Sequence, residues 1–194
     1  MITRSTRSLL NLTRQQKIIP IVENRAQLMF ALDIPEARTI FLQHCNLFEV
    51  APLLKSVSQH RRALYVNVDH IGGIHPDKAG MRYLARHLHM AGIISINPRM
   101  LAQAKDCELE TVQRIFAMDS IGLEVALDSV NQQVVDLIDI APALIVPYIS
   151  SSLHEQLSLP FMASGLVFTF KQVWEIIDAG ALAVAGTRSE LWRT

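Results

Sequence analysis

The chain has 194 residues, half of them hydrophobic and 19% charged, a balance that excludes a disordered polypeptide and suits one sizeable core. Eighteen Lys and Arg offset eighteen Asp and Glu, which excludes a strongly basic nucleic-acid-binding domain and requires that any RNA site be local. Cys45 and Cys107 are too few and too far apart for a disulfide framework or a zinc cluster, and no segment reaches the ~18 uninterrupted apolar residues of a membrane span. With no export signal at the N-terminus, the expectation is a cytoplasmic protein with core thiols and no membrane partner.

Short apolar, β-branched runs alternate along the chain with longer stretches of helical period. The first strand is predicted over Ile18 to Glu23, and the connection from Glu23 to Asp33 is the shortest. A second strand spans Arg38 to Gln43 and leads to a helix over Leu47 to Gln59, where Leu47, Val50, Leu53, Leu54 and Val57 recur on one face. Strands over Ala63 to Asp69 and Gly92 to Asn97 follow, with helices over Asp77 to Met90 and Pro98 to Cys107. The second half supplies strands at Thr111 to Ala117, Ala143 to Tyr148, Pro160 to Gly165 and Ala183 to Thr187. Helices are predicted between them over Ile121 to Gln133, Ser151 to Leu157 and Phe170 to Ala179, several opened by Pro, Ser or Asp, and Gly180 is a good stop for the last.

Eight such units favour closure into a compact TIM-like (β/α) barrel over an open sheet, with residues 1–194 as a single domain. At about 24 residues per unit the barrel is leaner than the usual ~250 residues, leaving room for one or two short or missing outer helices. In such a barrel, ligands sit at the carboxyl ends of the strands, which here carry Glu23, Gln43, Asp69 with His70, Ser95 with Asn97, Arg114, Pro147 with Tyr148, Ser164 with Gly165, and Gly186 with Thr187. Ala163-Ser164-Gly165 and Ala185-Gly186-Thr187 end the last two strands, where barrels often bind phosphate through backbone N–H groups and helix N-termini. The same glycines also serve simply to make tight βα turns.

Asp69, just before Gly72-Gly73, suits a contact to a hydroxyl or, equally, a loop or cap hydrogen bond. Arg114 lies inside an apolar strand, where a guanidinium needs a partner: a phosphate, or Asp69 or Glu23 in the barrel mouth. The histidines have no metal-ligand spacing, and neither a nucleophile elbow, a phosphate-loop motif nor a strand lysine is present, so no metal, no cofactor and no catalytic residue is expected. Two basic clusters remain, Arg4, Arg7, Arg14 and Lys17 at the N-terminus and Arg82, Arg86, His87 and His89 on a helix; each is a candidate RNA contact or ordinary solvated surface.

Across nearly the whole chain these residues resemble the glycerol uptake operon antiterminator family, which senses glycerol-3-phosphate and acts on leader mRNA. The resemblance is carried by IIPIVE around Pro20, VNVDHIGGI from Val66, Asp77 and Gly80, GIIS from Gly92, VQRIFAMDS from Val112, and the ordered matches from Pro160 to Gly165, at Thr169, Val173, Ala179 to Ala181, Ala183-Val184 and Leu191-Trp192. It implies a non-enzymatic regulator. Glycerol-3-phosphate or a related phosphorylated polyol would bind at the mouth, with the phosphate near Gly165, Leu166, Gly186 and Thr187. The polyol and its charge would lie near Asp69, Ser95 and Arg114. Leader mRNA is the implied partner, with room for a homo-oligomer. The chain departs from the family pattern at mouth positions: Asn67-Val68-Asp69 for His-Val-Asp, Val146-Pro147-Tyr148 for Leu-Pro-Gly, Ser164-Gly165 for Gly-Gly, and Ala185-Gly186-Thr187 for Thr-Thr-Ser. A different ligand, a vestigial site, or a phosphosugar-type barrel enzyme of the isomerase or aldolase class are the alternatives those departures leave.

Overall fold

The computed structural model describes residues 8–13 and 15–193. Eight parallel strands follow one another around a closed barrel: β1 Ile18–Val22, β2 Thr39–Leu42, β3 Ala63–Asn67, β4 Gly92–Ser95, β5 Glu110–Phe116, β6 Leu137–Ala141, β7 Phe161–Ser164 and β8 Val184–Gly186. The last pairs back onto the first, Ile18 beside Val184 and Pro20 beside Gly186. This is the TIM-like barrel that the alternation of apolar runs predicts. Helix α1 Leu9–Thr13 precedes the barrel, and the crossovers carry α2 Arg25–Leu32, α3 Leu47–Val50 with α4 Leu54–Gln59, α5 Lys78–Arg86, α6 Pro98–Asp106, α7 Ser120–Asp128, α8 Val146–Gln156 and α9 Phe170–Asp178. After β8 only a short 3-10 turn, Ser189–Leu191, stands in for an outer helix.

Strand side chains alternate between two cores, as the period of two requires. Val22, Leu42, Val66, Ile93 and Ile140 pack outward against the helices. Ile19, Phe41, Tyr65, Val112 and Met162 fill the barrel. Leu9 of α1 is fully buried in that inner core, so α1 plugs the barrel floor. Glu110 holds the plug in place, accepting hydrogen bonds from Ser8 Oγ at 2.7 Å and from the Leu9 amide at 3.0 Å, and one from the Tyr65 hydroxyl.

At the other end, the turns from strand to helix are fixed by side-chain caps. Asn24, Asn46, Asp77, Asn97, Asp119 and Thr169 each accept a hydrogen bond from a first-turn amide of the helix that follows. The barrel mouth is therefore rimmed by turns of defined shape.

One predicted strand is wrong. The sixth strand is Leu137–Ala141, and the residues from Ala143 to Tyr148 form a 3-10 turn and the start of α8. Pro147 explains the difference: it cannot donate to a strand ladder, whereas the first turn of a helix leaves its missing N–H without cost. The true strand carries Asp139, tolerated there because Arg114 of the neighbouring strand pairs with it. Helix limits also shift. The helix expected from Ile121 stops at Asp128, and α8 begins five residues before the predicted Ser151. The predicted helix over Leu47 to Gln59 is broken into α3, a 3-10 turn over Ala51–Leu53 and α4, with Pro52 at the break.

Candidate functional site

The inner core turns polar at the mouth. Arg114 Nε of β5 donates to Asp139 Oδ2 of β6 at 2.8 Å, with the arginine side chain 9% exposed and the aspartate fully buried. Ser164 Oγ of β7 donates to the same oxygen at 3.0 Å, and Arg114 Nη1 reaches Gln43 Oε1 beyond β2 at 3.4 Å. Asp139 Oδ1 is buried with no hydrogen-bond partner among the described residues. Arg114 therefore has neither of the carboxylate partners expected from the sequence, Asp69 or Glu23, because the strand register sets it directly opposite Asp139. Asp139 was legible in principle: an Asp and an Arg inside apolar runs on successive strands predict a buried pair. The misplaced sixth strand hid it.

Asp69 lies in a 3-10 turn, Val68–His70, just past β3. Its carboxylate accepts from Ser95 Oγ at 2.6 Å and from the Ile96 amide at 2.8 Å, so it ties the β3 loop to the end of β4. Ser95 in turn accepts from the Asn97 amide. Asn67 is not open to the mouth alone, since its side chain accepts from the Asp69 amide at 3.1 Å. Beside this cluster, the His44 and His70 rings lie 4.7 Å apart. Burial pushes the Cys45 thiol up to about 11; its Sγ sits against the Gln43 and Val22 carbonyls.

The closing loops have a different character. Ser164 pairs with Ala185 at the end of the β7–β8 ladder, so Gly165 and Gly186 each follow a residue of that last pair at the mouth. Gly165 and Leu166 are consecutive residues at positive φ, 87° and 59°, and Leu166 is 58% exposed. A leucine held there costs roughly 1–2 kcal/mol, so the turn is imposed by its surroundings. No intramolecular acceptor takes the amides of Gly165, Leu166 or Thr187 among the described residues. A Cβ added at Gly186 meets nothing within 4 Å, and Trp192 Nε1 donates to the Gly186 carbonyl at 2.8 Å, steadying the loop from behind. Arg188, not singled out in the sequence, lies over the Phe168 ring at 4.7 Å and so brings a cation to both loops.

Several expected positions fall elsewhere. Tyr148, expected at a strand end in the mouth, is on α8 and 85% exposed. Arg4, Arg7 and Arg14 lie outside the described residues. Lys17 Nζ donates to the Leu182 carbonyl at 3.3 Å, and Arg82 and Arg86 stand on the exposed face of α5. A cavity of about 620 Å³ opens at the floor rather than the mouth, lined in part by Arg62, Lys105, Glu110 and Asp136. These four are already committed: Lys105 to Asp136, Glu110 to Ser8 and Tyr65, and Arg62 to the carbonyls of Ile34 and Pro35. No helix among the described residues is long and apolar enough to cross a membrane.

Comparison with known proteins agrees with the barrel and narrows it. A glycerol uptake operon antiterminator regulatory protein from Listeria monocytogenes is 25% identical, superposes with a TM-score of 0.82, and the match covers 91% of this chain and 95% of that one. A glycerol uptake operon antiterminator-related protein from Thermotoga maritima has a TM-score of 0.79 at 21% identity, covering 91% and 98% of the two chains. An aldolase from Legionella pneumophila, 11% identical with a TM-score of 0.63 over 92% of this chain and 85% of its own, shares the fold alone. Among curated proteins, the uncharacterized YgcP of Escherichia coli K12 is 27% identical over 184 residues, 95% of each chain. The family described as glycerol-3-phosphate responsive antiterminator matches residues 18–192, and the chain belongs to that family.

Proposed function

We propose that the protein binds glycerol-3-phosphate, or a closely related phosphorylated polyol, at the barrel mouth and in that state acts on leader mRNA as a transcription antiterminator. The observation that carries this reading is the pair of neighbouring loops at Gly165-Leu166 and Gly186-Thr187, in which the amides of Gly165, Leu166 and Thr187 have no acceptor among the described residues. Free amides beside a cation suit a phosphate, because each supplies a donor without a competing side chain. Arg188 is the better source of charge than Arg114, whose own charge is already matched by Asp139. The polyol end has the carboxylate of Asp69 as an acceptor, and Asp139 Oδ1, buried without a donor among the described residues, would accept from a hydroxyl that reached it. None of the five lysines lies on a barrel strand, which supports a regulator over a Schiff-base aldolase on the same fold.

Gly186→Asp is the decisive variant. The Gly186 backbone is not in the left-handed region and an added Cβ has open space, so the protein should keep its melting temperature. A carboxylate on this loop would repel a bound phosphate, so the heat of glycerol-3-phosphate binding in isothermal titration should disappear. No heat from the unmodified protein, or unchanged binding by the variant, would refute the site.

A further inference from the structure

We infer that the outward face of α5 is the surface that holds RNA, and that it takes a single strand; this rests on the antiterminator reading above. From Lys78 to Lys105 the chain carries Lys78, Arg82, Arg86, Arg99 and Lys105 without one acidic residue, in a protein whose overall charge is zero. Helix α5 buries Met81 and Leu84 and presents Lys78, Arg82 and Arg86 to solvent, one per turn at about 6 Å along the axis. Lys78 is shared with Asp106 at 3.5 Å, whereas Arg82 and Arg86 have no acidic partner among the described residues. Such a row can follow a nucleic-acid backbone.

Beside the cations stands an aromatic pair. Tyr83, 43% exposed, stacks on His87 with ring centres 5.0 Å apart and planes 17° from parallel. Two rings already ordered against each other lose little rotamer freedom when a base joins the stack. A paired base has no free face to offer them, which selects an unpaired strand over a duplex. An acidic polypeptide would use the arginines but not the rings.

The same face is joined to the mouth. The segment that carries Asp69 runs directly into α5, and its far end is locked to the helix: Asp77 caps the Gly80 amide at 2.8 Å. The His75 carbonyl sits so close that a Cβ on Gly80 would fall 2.1 Å from it. A ligand that engages Asp69 therefore acts on a segment that moves with the helix bearing the RNA contacts.

The test is fluorescence anisotropy of the full chain, with glycerol-3-phosphate present, on labelled single-stranded fragments of the transcript leader adjoining its own gene. The double variant Arg82→Glu/Arg86→Glu should weaken binding by at least about tenfold and lower the log–log salt slope by about 1.4, two phosphates at about 0.7 each. Tyr83→Ala should weaken it by roughly 5- to 150-fold with the slope unchanged. Both variants alter exposed side chains and should keep the melting temperature and the heat of glycerol-3-phosphate binding. Equal binding by wild type and both variants would overturn this assignment and leave the antiterminator reading standing. Preference for duplex RNA, or displacement of RNA by polyglutamate with Tyr83→Ala silent, would overturn it too. If the unmodified protein binds no fragment, the antiterminator reading itself falls.

Discussion

Arg114 and Asp139 show how much one pair of residues decides. Taking two charges out of water costs several kcal/mol per ion, and the 2.8 Å contact with Ser164 and Gln43 alongside recovers that only while all partners remain. Arg114→Met is expected to destabilise the protein by about 3–5 kcal/mol in urea unfolding, because Asp139 is left buried and uncompensated. Arg114→Met combined with Asp139→Leu should recover most of that loss, since two apolar side chains need no partner, yet should no longer bind the polyol. A double variant as unstable as the single one would show that the cluster is held by packing rather than by charge. Arg114 inside an apolar strand announces a buried cation in need of a partner. Asp139 becomes visible as that partner only once the sixth strand is placed at Leu137–Ala141, where the register sets the two side by side.

Among the elements, strands and helices differ in how plainly they could be read. Seven strands lie where apolar runs bounded by turn residues place them, since a strand buried on both faces has few alternatives. The sixth was displaced because two apolar runs, Leu137 to Ala141 and Ala143 to Tyr148, compete within a dozen residues. Pro147 and the Arg114 partnership settle the contest, one locally and the other through tertiary contact. Helix starts were more legible than helix ends, because caps are written in the sequence. Helix α9 begins with a complete capping box, Thr169 accepting from the Gln172 amide and Gln172 accepting from that of Thr169. Thr169→Ala should cost about 1 kcal/mol, read as a lower urea midpoint at unchanged slope. No shift would mean that packing of Val173 and Ile176 alone fixes the helix.

The whole barrel is closed at its floor by α1, and that closure links stability to pH. Burial pushes the Tyr65 hydroxyl well above its usual range, and the neighbouring Glu110 carboxylate adds to the effect. The folded protein thus keeps the phenol neutral, while the unfolded chain releases its proton near pH 10. The contribution is complete below about pH 10 and is lost as pH rises from there toward the folded value, at about 1.4 kcal/mol per pH unit. Wild type and Tyr65→Phe, compared by urea unfolding, should converge in stability over that alkaline interval. A gap that stays constant would mean that the hydroxyl titrates normally in the folded state.

What could be read from residues alone was local and repetitive. Apolar runs, helical periods, cap residues and the glycines at the ends of β7 and β8 depend only on neighbours in the chain, and together they yield the barrel and point to the two closing loops. Everything that joins distant segments waited for the fold. The pairing of Arg114 with Asp139, the tether from Asp69 to Ser95, the approach of Arg188 to Phe168 and the plug of Leu9 beneath the floor all arise from strand register and barrel closure. A one-residue slip reverses which face a strand side chain occupies, so such contacts are fixed by how the strands pair and not by spacing along the chain.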